Sequence, residues 1–236
     1  MNPCYNRFDY TFSIRPWPAC QDWRCTPKNL CLRDAHIMDA IRAFIAIELP
    51  AAILQQIGTI ESRLRSQMPP DCIRWVKPDS IHLTLKFLGQ VPSDQIDLIT
   101  TSLKNALVPH HVFALEVADA GCFPDLHHPR VIWVGVKEDP PGHILQHVQR
   151  SVENAISPLG YPTEARDFSP HLTLGRIARD VRTTDLKKVG DVIGASQIGL
   201  LGRWDVINVA LIKSDLRPTG AMYTVLARAP LTPRSA

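Results

Sequence analysis

The first apolar run, 42–49, is rich in Phe, Ile and Ala and stops at Pro50, which predicts a strand. Beyond Pro50 the apolar period lengthens. Ile53, Leu54, Ile57, Ile60 and Leu64 mark one face of a helix over 51–67, ended by Met68-Pro69-Pro70. Strands over 73–76 and 81–88 follow, then a turn at Gly89 and Pro92, a helix over 93–107 with Ser93 as N-cap, and an alternating strand over 112–117. The second half repeats the order. It has a strand over 131–136 broken by Asp139-Pro140-Pro141-Gly142, a helix over 143–156 and a strand over 168–176. In that helix Ile144, Val148, Val152 and Ile156 recur at i, i+4 steps. A weaker helix over 185–193 and strands over 204–213 and 222–227 complete the chain. Strands and helices mixed in this way, with several adjacent strand pairs, predict an α+β fold with antiparallel sheets.

Within two of these strands one tetrapeptide recurs: His82-Leu83-Thr84-Leu85 and His171-Leu172-Thr173-Leu174. Of the nine histidines only these two have Thr two residues later. Alternation along a strand sends both leucines to a core and the histidine and threonine together to the other face. On the first strand Ile81, Leu83, Leu85 and Phe87 are expected inside, with His82, Thr84 and Lys86 outside. The spacing repeats too. Apolar runs end at Ile47 and Val136, each 35 residues before its histidine (82 − 47 and 171 − 136). Two pseudo-symmetric lobes are expected, an internal duplication with one histidine strand in each.

Two imidazoles facing one groove suit acid–base chemistry. With ordinary pKa values near 6.5, one can be neutral and take a proton while the other is charged and gives one. Thr84 and Thr173 could donate hydrogen bonds to phosphate oxygens as charge builds. Arg176 offers a fixed positive charge suited to a phosphodiester, but parity points it away from His171 unless the strand bends or ends at Gly175. Other chemistries find less support. No carboxylate cluster of the kind a two-metal centre needs accompanies either motif, and neither a P-loop nor a G-x-S-x-G elbow is present. His110-His111 and His127-His128 read as loop residues.

Composition adds bounds. With 236 residues, 45 % hydrophobic and 21 % charged, the chain suits one domain or two small lobes. A formal charge of +3 is compatible with a polyanionic ligand without arguing for one. No stretch approaches the ~20 apolar residues of a membrane span, and the first residues lack a secretory pattern, so a cytoplasmic location is expected. Cys4, Cys20, Cys25 and Cys31 fall in the first 37 residues without a C-x-x-C pair, and no metal site is expected there. Residues 1–37, with Pro3, Pro16, Pro18 and Pro27 and no period, read as a disordered extension. The folded unit is then 38–236, and Met38 is a second candidate start.

The pair of H-x-T-x motifs resembles the 2H phosphoesterase superfamily. Arg42-Ala-Phe-Ile-Ala-Ile-Glu-Leu-Pro50, Arg74-Trp-Val, His82-Leu-Thr-Leu-Lys-Phe-Leu-Gly89, Phe168-Ser-Pro-His-Leu-Thr-Leu-Gly-Arg176 and Ser214-Asp-Leu-Arg-Pro-Thr-Gly220 are similar to the RNA 2′,3′-cyclic phosphodiesterases, formerly called 2′-5′ RNA ligases. The resemblance implies a bilobal unit whose two antiparallel sheets face a central groove, with helices outside. It implies hydrolysis of an RNA 2′,3′-cyclic phosphate end to a 2′-phosphomonoester, with no metal or other cofactor. A monomer is expected. By motif position His82 is the proton donor and His171 the proton acceptor. Phe168 and Trp75 are candidates to stack on a terminal base, and equally fit a core. Action on another cyclic or 2′-5′-linked nucleotide, reversible ligation, and noncatalytic RNA binding are the alternatives.

Overall fold

In the computed structural model, which describes residues 40–217 and 220–234, the first apolar run forms β1 (Ala40–Ile47). The chain continues through α1 (Ala51–Arg65), β2 (Ile73–Trp75), β3 (Leu83–Pro92), α2 (Ile96–Leu107), β4 (Phe113–Phe123), β5 (Val131–Glu138) and α3 (Ile144–Ile156). It ends with β6 (His171–Ile177), α4 (Thr183–Ala195), β7 (Gly202–Val206), β8 (Asn208–Arg217) and β9 (Gly220–Pro230). The extension expected over 1–37, with its four cysteines, and Met38 lie outside the described residues. Two sheets form, ordered β3-β1-β8-β9 and β2-β6-β5-β4-β7. All pairings between these strands are antiparallel, as the α+β reading requires. No helix among the described residues is long and apolar enough to cross a membrane.

Both sheets press one face into a shared core. Ile45 and Leu83 come from the first sheet, Val134 and Leu172 from the second, and Ile57, Leu103, Val148 and Val152 from the helices. Each of these side chains contributes roughly 1.5–3 kcal/mol on burial. The opposite face of the first sheet carries a smaller cluster of Phe44, Ala46, Ala210 and Ile212, flanked by Tyr223 and Val225. That second face is where His82 sits.

Three expectations about the elements need correction. β3 does not turn at Gly89 but continues to Pro92, because Ala40–Ala43 of β1 keep it paired. Gly89 accommodates the bend at φ +73. The single strand expected over 204–213 is two strands in different sheets, separated at the exposed Ile207. β4 runs on to Phe123 because Asp119, at φ 63, is bulged out and pairing with β5 resumes at Ala120.

The histidine strands break their own alternation at matching positions. Ile45 lies opposite Lys86 but Ala46 lies opposite Thr84, so Leu85 is an extra residue. Ile132 lies opposite Gly175 but Trp133 lies opposite Thr173, so Leu174 is extra in the same way. Each bulge comes three residues after the motif histidine. Beyond it the side chains exchange faces. Lys86, expected outside, is buried at 4 % exposure, and Phe87, expected inside, is 65 % exposed. Gly175 is buried and Arg176 exposed. The pseudo-symmetry therefore extends to the bulges, although the pairing register does not repeat strictly. The residue opposite Thr84 is Ala46, whose counterpart at the same spacing is Gly135, yet Trp133 stands opposite Thr173. The register has slipped by two residues.

Helix α3 holds the first bulge in place. Lys86 Nζ donates to Glu153 Oε2 at 2.5 Å and to the Pro162 carbonyl at 2.8 Å. Gln149 donates to the Leu85 carbonyl and to Glu153. Truncating one partner of a buried pair leaves the other charge without compensation. Lys86→Met is expected to cost ~3–5 kcal/mol in urea denaturation. A loss below ~1 kcal/mol would show that the pair does not anchor β3.

Candidate active site

His82 stands one residue before β3, where its ring lies on Phe44 at a centroid distance of 4.4 Å and an interplanar angle of 26°. Tyr223 of β9 meets the same imidazole edge-on at 5.1 Å and Phe44 at 5.2 Å. Two strands far apart in sequence thus build an apolar floor under one histidine. His82 Nδ1 lies 2.9 Å from the Ser80 carbonyl. A carbonyl only accepts, so this contact assigns the proton to Nδ1 and leaves Nε2 as the reactive nitrogen.

His171 repeats the arrangement with different neighbours. Its Nδ1 is 2.7 Å from the Ser169 carbonyl, and Phe123 packs edge-on against the ring at 4.8 Å. Phe123 in turn packs on Trp133 at 5.2 Å. Trp133 reaches this face by lying over Gly121, where a Cβ would come within 2.3 Å of the indole. The tether to the carbonyl two residues earlier is common to both histidines. Its trace in the sequence is that the repeat is longer than HLTL, with Ser80 and Ser169 at matching positions.

Thr84 and Thr173 are partly buried and follow their histidines by two residues on the same face. Arg176 joins them because of the bulge at Leu174, not because the strand ends. Gly175 makes room for that bulge beside β2, since a Cβ there would approach Ile73 Cγ2 to 2.7 Å. The Arg176 charge acts on His171 and also on Tyr223, whose ring touches His82. The two motifs therefore share one electrostatic neighbourhood. Burial raises the Tyr223 phenol, and Arg176 is among the charges that oppose the rise.

The remaining candidates have other partners. Phe168 is partly buried against the main core and makes no ring contact with either histidine. Arg65 covers the Trp75 ring at 5.3 Å. His110 pairs with Ser151, and His127 and His128 sit in a turn where Asp125 accepts their backbone N–H groups. Cys72 and Cys122 are buried free thiols. Sequence reasoning missed Phe44, Tyr223 and Phe123, which only long-range strand pairing brings to the imidazoles.

Burial pushes His82 down to about 4, opposed by its bond to the Ser80 carbonyl. Burial lowers His171 as well, the Ser169 bond opposes it, and Arg176 lowers it further. Both imidazoles are neutral in the free site at pH 7. An unfolded His82 takes up a proton near 6.5, so the stability associated with its neutral form is complete above that pH. It is lost as pH falls from 6.5 toward 4. Between pH 7 and 4.5 in phosphate-free buffer, His82 is expected to account for roughly 2–3 kcal/mol of lost stability. Urea denaturation of His82→Gln should show a correspondingly flatter pH dependence, and an unchanged dependence would contradict this role of burial.

Similar proteins share this arrangement of elements. The family model described as LigT like phosphoesterase matches residues 47–133. A Methanothermobacter thermautotrophicus protein named RNA 2′,3′-cyclic phosphodiesterase is 33 % identical over 184 residues, covering 78 % of this chain and 95 % of that protein. An Aquifex aeolicus protein of the same name is 27 % identical, covering 80 % and 96 %. The crystal structure of Escherichia coli LigT complexed with 3′-AMP is similar with a TM-score of 0.65 at 27 % identity, covering 82 % of this chain and 99 % of that one. By sequence along nearly the whole length of these relatives, and by fold, the chain belongs to the LigT-like phosphoesterases of the 2H superfamily.

Proposed function

We propose that this protein hydrolyses the 2′,3′-cyclic phosphate at an RNA 3′ end to a 2′-phosphomonoester, with His82 as proton donor and His171 as proton acceptor. The observation that carries this reading is the matched tethering of the two imidazoles, each held through Nδ1 by the carbonyl two residues earlier. Relatives bearing the name RNA 2′,3′-cyclic phosphodiesterase support the substrate. The catalytic unit is the segment 38–236, which holds every residue named.

Water attacks phosphorus while His171 Nε2 takes its proton. The bond from phosphorus to the 3′ oxygen breaks, and the proton on His82 Nε2 passes to that oxygen. Thr84 and Thr173 donate to the non-bridging oxygens, and Arg176 balances the charge that builds on them. Solvent exchange resets the two imidazoles. Phe168, partly buried three residues before His171, is the further candidate for contact with a base.

The depressed pKa of His82 must be overcome before it can serve as an acid. A phosphate bound against a buried imidazole does this, because opposite charges interact strongly where water is excluded. Substrate thus charges the group that later protonates its leaving oxygen. In the free site both histidines titrate below 6.5, so the bell for kcat/KM has both limbs below that value, and the bell for kcat lies at higher pH. A flat profile between pH 5 and 8 would contradict two titrating histidines.

The direct assay supplies an oligoribonucleotide ending in a 2′,3′-cyclic phosphate, in EDTA, and identifies the product. A 2′-phosphate is expected, with His82→Ala and His171→Ala each slower by ~10²–10⁴-fold. Absence of turnover, or variants as active as the parent, would sink the reading. A 3′-phosphate product would overturn the assigned leaving group.

A further inference from the structure

β2 lies between α1 and β3 in sequence, yet it pairs with β6 at the edge of the second sheet. Its register puts Arg74 directly opposite Arg176, with Ile73 opposite Ile177 and Trp75 opposite Gly175. Opposite residues of an antiparallel pair share a face, with Cβ atoms about 4.5–5.5 Å apart. Ile73 and Trp75 pack with the core, so Arg74 stands beside Arg176 on the other face, the one that carries His171 and Thr173. Hydrogen bonds beyond the strand fix this register. The Val76 N–H donates at 2.8 Å to the carbonyl of Leu174, the bulged residue, and the Ala178 N–H donates at 2.9 Å to the Cys72 carbonyl. Both arginines are exposed, and among the described residues neither has a carboxylate within ion-pair distance. Other arginines nearby are neutralised. Arg65, which covers the Trp75 ring, pairs with Glu61 at 2.7 Å, and Arg182 pairs with Asp185 at 2.9 Å.

We propose that Arg74 and Arg176 form a two-guanidinium clamp on the reacting phosphate, selective for its dianionic forms: the transition state and the 2′-phosphomonoester product. The inference rests on the phosphodiesterase reading and deepens it by adding Arg74 to the residues that hold the phosphate. Like charges directly opposite each other destabilise a strand pair, and an oxyanion held between them reverses the sign. Two planar guanidiniums side by side match the oxygens of one phosphoryl group. The cyclic diester carries a single negative charge. Once water has added and lost its proton to His171, a second charge develops on the phosphoryl oxygens. The monoester product carries about −1.5 to −2 at pH 7. One guanidinium balances the bound diester, so the second gains its full partner only as the reaction proceeds. Because the β2 segment leads into His82, one stretch of chain supplies both the proton donor and the added charge.

The test uses the full chain and a nucleoside 2′,3′-cyclic phosphate, whose single phosphate leaves no second anion for Arg74 to hold. Arg74→Gln should lower kcat about tenfold and leave KM within about twofold, because the lost contact strengthens in the transition state. Inhibition by the nucleoside 2′-phosphate should weaken about tenfold in the same variant. Arg74→Lys keeps the charge without the planar fork and should fall between Arg74→Gln and the parent. Arg179→Gln removes an exposed cation past the end of β6 and should change neither value. Unchanged kcat and product inhibition in Arg74→Gln, a rise in KM alone, a loss confined to oligonucleotide substrates, or an equal loss in Arg179→Gln would each overturn the clamp. Should Arg74→Gln not fold, Arg74→Lys decides by the same two readouts. Should the parent turn over no cyclic phosphate, the phosphodiesterase reading fails by itself. Calorimetric titration with the nucleoside 2′-phosphate then decides the clamp: weaker binding to Arg74→Gln upholds it, and unchanged binding overturns it.

Discussion

A strand can show only every second residue to a groove, and both histidine strands of this protein break that rule at the same place, three residues after the histidine. The extra residue at Leu85 and at Leu174 comes just after His and Thr have been presented together. It sets what the next residues do. In the second strand it brings Arg176 round to the face of His171. In the first it sends Lys86 inward to Glu153 on α3 and brings Phe87 out. The same backbone device therefore adds a charge to one side of the site and an aromatic face to the other.

Rigid placement of the histidines has an electrostatic consequence. Phe44 and Tyr223 fix the His82 ring by packing, and the water they exclude is what makes its charged form unfavourable. The Ser80 carbonyl pulls the other way, since it accepts from Nδ1 and favours the protonated ring. His171 has a thinner apolar cover and a nearby cation in Arg176. Two chemically identical side chains in repeated tetrapeptides thus have unequal surroundings. An acid–base pair needs such inequality, because two identical imidazoles would compete for the same protonation state.

Much of the site was legible in the sequence because it obeys local rules. HLTL twice over gave the histidines, the threonines and the buried leucines by parity alone, and the mixed periods gave an α+β fold. The rest depended on pairing between distant segments. Nothing at Leu85 marks a bulge, so parity puts Lys86 and Phe87 on the wrong faces, while Gly175 is a usable hint for Arg176. Phe44 and Tyr223 meet His82 only because β1 lies beside β3 and β9 returns beside β8. The matching 35-residue spacing indicated two lobes, although their registers differ by two residues. At Ile207 the chain crosses between sheets without Pro or Gly, and an apolar run there could not be divided by inspection.

In the proposed mechanism two imidazoles, each tethered at Nδ1, offer Nε2 to one phosphate and differ in charge when it binds. Nitrogen-15 NMR of the histidine rings, with and without a nucleoside 2′-phosphate, observes this directly. At pH 7 the free protein should show His82 and His171 neutral with the proton on Nδ1, and the complex should show one imidazolium and one neutral ring. A free-state proton on Nε2 of either ring, or two rings that keep the same charge when the phosphate binds, would contradict this mechanism.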